Sequence, residues 1–286
     1  MAAKKRKKHA RPTSLSYGRP LFAQKPKATL SSDATRHLIR THHTLQKQLA
    51  KAIKDGDTAS AATIEAQIEQ QGGLKSYQQA SIEGQSPRRG GDTSKQLIDW
   101  LKETKTIISG RKVQLKMLEI GALSPFNACS RTDLLDVTRI DLHSQHPKIE
   151  QQDFMKRPIP SSDDDKFDII SLSLVLNFVP EAIARGEMLE RTTEFLRIST
   201  RLDISLLPCL FLVLPAPCLQ NSRYMTEERL EALMSSLGYS CKKAKYTSKL
   251  AYSLWKLTGT GDSAPLFPKA EINPGKSRNN FSIVLC

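Results

Sequence analysis

Glu119, Gly121 and Asp141 have the types and spacing that chemistry needs. The run Lys116-Met117-Leu118-Glu119-Ile120-Gly121-Ala122 ends an apolar stretch in an acid and a glycine. Twenty residues beyond that glycine, Arg139-Ile140-Asp141-Leu142 ends a second apolar pair in another acid. A parallel αβ sheet meets a nucleoside cofactor in this way: the glycine lets backbone approach the ligand, and the second acid accepts from ribose hydroxyls.

Residues 113–214 have the alternation of strands and helices needed to position these groups, the pattern of a doubly wound α/β domain. Strands are expected at Gln114–Ile120, Val137–Asp141, Phe167–Leu176 and Leu206–Leu214, with a helix over Pro180–Leu196. A helix from Tyr224-Met225-Thr226-Glu227-Glu228 to Leu237 follows, with Gly238 as its C-cap. Strands at Leu250–Trp255 and Asn280–Leu285 then finish the sheet with an antiparallel edge. Before the domain, Leu38, Leu45, Leu49 and Ile53 recur at helical steps, Asp55-Gly56-Asp57 breaks the run, and Ile64 and Ile68 continue it. That is a helical hairpin, capped by Ser32 or Asp33. The glycine pairs and the Ser86-Pro87-Arg88-Arg89 turn between Gln71 and Lys95 read as a loop, either a plain linker or one whose arginines reach a phosphate or a cofactor carboxylate. Three segments result: a disordered basic tail (1–32), a helical hairpin with its Gly/Arg-containing connecting loop (33–112), and the catalytic domain (113–286).

Charge narrows the partner. The chain of 286 residues carries +14, and residues 1–30 hold nine Lys/Arg and no acid. Residues 116–222, by contrast, set eleven basic residues against fifteen acidic ones. A mildly acidic core with basic additions suits a polyanion, because cations placed near phosphates release counterions. The block Lys4-Lys5-Arg6-Lys7-Lys8 reads as a nuclear or nucleolar address, or as an RNA-touching arm. No apolar run approaches the eighteen or more residues that cross a bilayer, so a soluble, non-secreted chain without membrane contact is expected. The five cysteines are scattered, and His143-Ser144-Gln145-His146 has no further ligands beside it, so no metal is expected.

Several stretches together carry a narrower resemblance: Gly72-Gly73-Leu74 to Tyr77-Gln78, Arg89-Gly90-Gly91-Asp92, Leu118-Glu119-Ile120-Gly121, and Ser171-Leu172-Ser173-Leu174-Val175-Leu176-Asn177-Phe178-Val179-Pro180. From about residue 33 onward the chain resembles the fungal 25S ribosomal RNA adenine-N1 methyltransferases, a family of class I S-adenosylmethionine-dependent enzymes. The resemblance implies a Rossmann-like methyltransferase sheet with an N-terminal helical extension. It also implies methyl transfer to N1 of an adenine in large-subunit ribosomal RNA, in the nucleolus on pre-60S particles, by a protein expected to be a monomer. It carries cofactor contacts onto Gly121 and Asp141. Glu119 would balance the methionine ammonium or hold a loop. Asp153 would meet the adenine exocyclic amine and Phe154 would pack on the ring, unless both are turn and core residues. No catalytic residue is identified, and adenine N1 needs no base. Asn177 could accept from the target N6 amine and Phe178 could stack on an extruded base; the alternative is a strand-end turn with Phe178 in the core. A second reading is a domain that binds S-adenosylmethionine and signals to a protein partner without turnover.

Overall fold

The computed structural model describes residues 31–84, 91–108, 113–198, 204–259 and 266–286. The basic stretch 1–30 and the Arg88-Arg89 turn lie outside them. Strands β1 (Leu115–Ile120), β2 (Leu135–Asp141), β3 (Glu150–Gln151), β4 (Ile169–Ser173), β5 (Cys209–Pro215), β6 (Tyr239–Tyr246) and β7 (Leu250–Leu257) form one sheet in the order β3-β2-β1-β4-β5-β7-β6. The first five run parallel, and β7 lies antiparallel between β5 and β6. β1, β4 and β5 are nearly continuous apolar runs because both faces of the sheet are covered.

One face packs under α4 (Ser94–Trp100) and α5 (Lys102–Ile108), with Leu97, Leu101, Met117 and Phe211 in its core. The other packs under α6 (Ala182–Phe195) and α8 (Glu227–Ser236), where Leu118, Leu189, Phe195, Leu212 and Leu233 meet. From β1 the chain winds outward through β2 to β3, then returns to start β4 on the other side. Strand order therefore reverses between β1 and β4, the place where such sheets open a ligand crevice at their carboxyl edge.

Three helices precede the sheet: α1 (Ser32–Lys54), α2 (Thr58–Gln70) and α3 (Gly73–Gly84). Ser31, rather than Ser32 or Asp33, caps α1, its hydroxyl accepting from the Ala34 amide at 3.1 Å. α3 corrects the loop expected there. Gly72 and Gly73 take φ of +88° and +58°, so the glycine pair turns the chain sharply between two helices instead of ending helical structure.

Two further corrections concern the sheet's far side. β6 was not expected from sequence; it is an edge strand, mostly exposed, with a bulge between Cys241 and Lys243. Asn280–Leu285 does not extend the sheet. Phe281, Ile283 and Leu285 are buried, but the segment lies along the start of α6, where the Val284 amide donates to the Ala182 carbonyl at 3.0 Å. Gly186 permits that approach, since a Cβ there would run into the Val284 carbonyl oxygen.

Candidate functional site

Gly121 follows β1 with φ +73°, and its amide donates to the Ile140 carbonyl at 2.9 Å. A Cβ at this position would collide with Cγ2 of Val175. Val175 gets there because Leu174, leaving β4, adopts a left-handed φ of 58°. Such a conformation is costly for a branched side chain and turns the chain back over the end of β1. The ends of β1 and β4 therefore touch at the switch point.

One strand away, Asp141 ends β2. Its Oδ1 accepts from the His143 amide at 2.8 Å, and burial raises its pKa above the usual carboxylate value. Among the described residues no further donor reaches this carboxylate, so an oxygen at the crevice remains for a ligand's hydroxyls.

Glu119 is buried, and its side chain turns away from Gly121 toward the α4 face. Oε1 accepts from Asn127 Nδ2 at 2.5 Å, Oε2 accepts from Cys129 Sγ at 3.7 Å, and Arg139 Nε lies 3.9 Å away. Burial pushes its carboxyl up to about 7 against the pull of Arg139. Of the two roles open to Glu119, holding a loop is the one this geometry displays. The same loop is held from the other side by Asp92, which accepts from the Ala128 amide at 2.5 Å and from the Ser94 hydroxyl at 2.6 Å. Ser94 Oγ in turn accepts from the Cys129 amide at 3.1 Å. Thr93 meets Ser173, at the end of β4, with 2.7 Å between hydroxyls. Asp92 belongs to the Arg89-Gly90-Gly91-Asp92 motif read from sequence, but no role was assigned to it there, and Thr93 and Ser94 were not singled out.

Asp153 follows β3 and caps a short 3-10 turn, accepting from the Met155 amide at 2.9 Å. Phe154 is buried against Phe195, 5.1 Å between ring centroids, so it is a core residue and not a platform for a cofactor ring.

Asn177 and Phe178 lie beyond β4 in a 3-10 turn. Asn177 Oδ1 is buried with no hydrogen-bond partner. Phe178 is half-buried and belongs to neither core. Its ring stacks on His43 of α1 at 4.0 Å and meets the edge of Tyr77 of α3 at 6.0 Å. His42 stacks on Tyr77 from the other side, at 4.5 Å. Burial and the neighbouring His42 and Lys47 depress His43 to about 3, so its imidazole is neutral. Tyr77 is pushed up to about 12 by burial and lies near enough to Asp141 to feel its charge. Gln78 Nε2 donates to the His143 carbonyl at 2.6 Å, just past Asp141. The helical extension thus roofs the crevice. It leaves His43 Nε2, Gln78 Oε1 and Asn177 Oδ1 buried without partners, a set of unsatisfied atoms suited to a polar ligand.

Among the described residues no three His, Cys, Asp or Glu side chains gather to hold a metal, and no helix is long and apolar enough to cross a membrane.

Strand order, the switch-point glycine and the strand-end carboxylate define an α/β domain of the class I methyltransferase kind. The chain belongs to the Bmt2 family, whose model, described as 25S rRNA (adenine(2142)-N(1))-methyltransferase, matches residues 62–283. It is 39% identical over 256 residues to the Schizosaccharomyces pombe 25S rRNA adenine-N(1) methyltransferase, covering 86% of this chain and 89% of that one. It is 38% identical over 260 residues to the Saccharomyces cerevisiae 25S rRNA (adenine(2142)-N(1))-methyltransferase, covering 89% of this chain and 73% of that one. Among solved structures, the 16S rRNA methylase RmtB aligns over 77% of this chain and 74% of its own at 13% identity and a TM-score of 0.35, too remote to bear on function.

Proposed function

We propose that this protein methylates N1 of an adenine in 25S ribosomal RNA, with S-adenosylmethionine as methyl donor. Membership of the Bmt2 family carries the reading. The geometry is compatible with it: Gly121 brings backbone to the crevice, and Asp141 keeps carboxylate oxygen available for ribose hydroxyls.

S-adenosylmethionine supplies, when bound, an electrophilic methyl group on a sulfonium. Adenine N1 carries an in-plane lone pair and no proton at neutral pH, so the protein's task is alignment and not proton abstraction. Asn177 has a free buried acceptor for an N6 amine, and Phe178 offers a ring face. The neutral His43 adds no positive charge where the ring becomes cationic. The basic stretch 1–30 suits a nucleolar address, with pre-60S particles as the setting.

Purified protein, labelled cofactor and unmodified ribosomal RNA test the reading. Methyl transfer to a single adenine, lost from cellular RNA when the gene is deleted, is expected. Tight cofactor binding with no turnover on any RNA would favour the sensor reading instead.

A further inference from the structure

α1 has two faces of different chemistry. Thr35, His42, Leu45 and Ala52 are buried on one, against the other helices of the extension. Arg40, His43, Lys47, Lys51 and Lys54 follow one another at three- and four-residue steps on the opposite face, and the four cations among them are exposed. The only acid in the helix is Asp33, in its first turn.

The cationic face is the one that meets the methyltransferase domain. His43 lies in its middle and stacks on Phe178. Lys47, one turn further, is close enough to Arg185 for that charge to act on it. Arg185 is tied to the same turn, its Nε and Nη2 donating to the carbonyls of Val179 and Pro180 at 2.9 Å each. Glu181 is the carboxylate that bears on Arg185. Among the described residues no carboxylate pairs with Arg40, Lys47, Lys51 or Lys54. Arg185 itself is buried and spent on backbone carbonyls, so the exposed cations of α1 are the ones left to meet an anion beside this turn.

We propose that this face of α1 is the track for the RNA backbone, holding the phosphates beside the target adenine over the Asn177–Pro180 turn. The proposal rests on the methyltransferase reading and names the surface that delivers its substrate. Cations about one helical turn, ~5.4 Å, apart match a chain of repeated charges better than a single anion. The half-buried ring of Phe178 beside them adds the stacking surface that single-stranded RNA uses and an acidic protein does not.

The test uses the full-length protein and a single-stranded fragment of 25S ribosomal RNA, with binding measured across a salt series. Replacing Lys47, Lys51 and Lys54 together by Gln keeps helix propensity and touches no core. It is expected to raise Kd for RNA roughly tenfold or more and to flatten the slope of log K against log salt by about 2, with cofactor affinity unchanged. The same number of changes away from α1, Lys102→Gln and Lys105→Gln on α5 and Lys116→Gln near the start of β1, is expected to cost much less. Unchanged RNA affinity and slope in the α1 variant, or an equal loss in the control, would overturn the proposal. The first of these would leave the stripe to an acidic protein. Wild type that methylates ribosomal RNA alongside an unaffected α1 variant sinks the track alone. An α1-dependent binder that methylates nothing sinks the enzymatic reading alone.

Discussion

The imidazole of His43 and the ring of Phe178 lie face to face, 18° from parallel, with 4.0 Å between centroids. That spacing leaves no room for a base between them, so an adenine that stacked on this face of Phe178 would take the place of His43. His43→Ala is expected to lower KM for RNA severalfold, leaving kcat and cofactor affinity within about twofold. A raised KM would show instead that His43 holds the base.

Asp141 accepts one hydrogen bond from its own turn and keeps the rest of its carboxylate for the crevice. Asp141→Ala is expected to weaken S-adenosylmethionine binding by about 1.5–3 kcal/mol, the worth of hydrogen bonds to a charged group. Titration calorimetry reads it directly, and wild-type affinity in the variant would remove Asp141 from the site.

Gly121→Ala strains a positive φ and drives a methyl group into Val175. A loss of about 1–3 kcal/mol in stability is expected from the backbone conformation. Gly121→Arg is expected to abolish cofactor binding while the fold largely survives. Pairing Gly121→Ala with Val175→Ala should recover part of the stability in urea unfolding; no recovery would mean the collision is relieved elsewhere.

Burial raises Glu119 from 4.5 to about 7 in the folded chain. Between these values the folded protein keeps a proton that the unfolded chain has lost. The stability this contributes is present below about pH 4.5 and disappears as pH rises through about 7. Wild type should therefore lose up to about 3 kcal/mol relative to Glu119→Gln over that window. Urea unfolding of both proteins at pH 5 and pH 7.5 measures the difference, and parallel pH profiles would contradict the assignment.

The parallel centre was legible in sequence because β1, β4 and β5 are largely buried on both faces and so read as nearly continuous apolar runs. β6 was not, because one of its faces is solvated and the bulge at Cys241/Lys243 breaks the alternation that identifies half-buried strands. Asn280–Leu285 misled for the opposite reason: its apolar residues are buried, but against a helix and not in a ladder. At the site, Gly121 and Asp141 stood out because each ends a strand, where residue type follows local geometry. The contacts of His43, Tyr77 and Asp92 join segments far apart in the chain, and no local pattern encodes which segments meet.

The two margins of the sheet also have a consequence for how the protein behaves at high concentration. β3 is only two residues long, and β6 carries Lys242, Lys243 and Lys245 along a bulged strand. A short margin on one side and a kinked, charged one on the other give a second copy little to add a strand to. The same lysines repel one another when two margins approach. Self-association through continued β-pairing, the common route from an open sheet to insoluble aggregate, is disfavoured at both margins of this sheet.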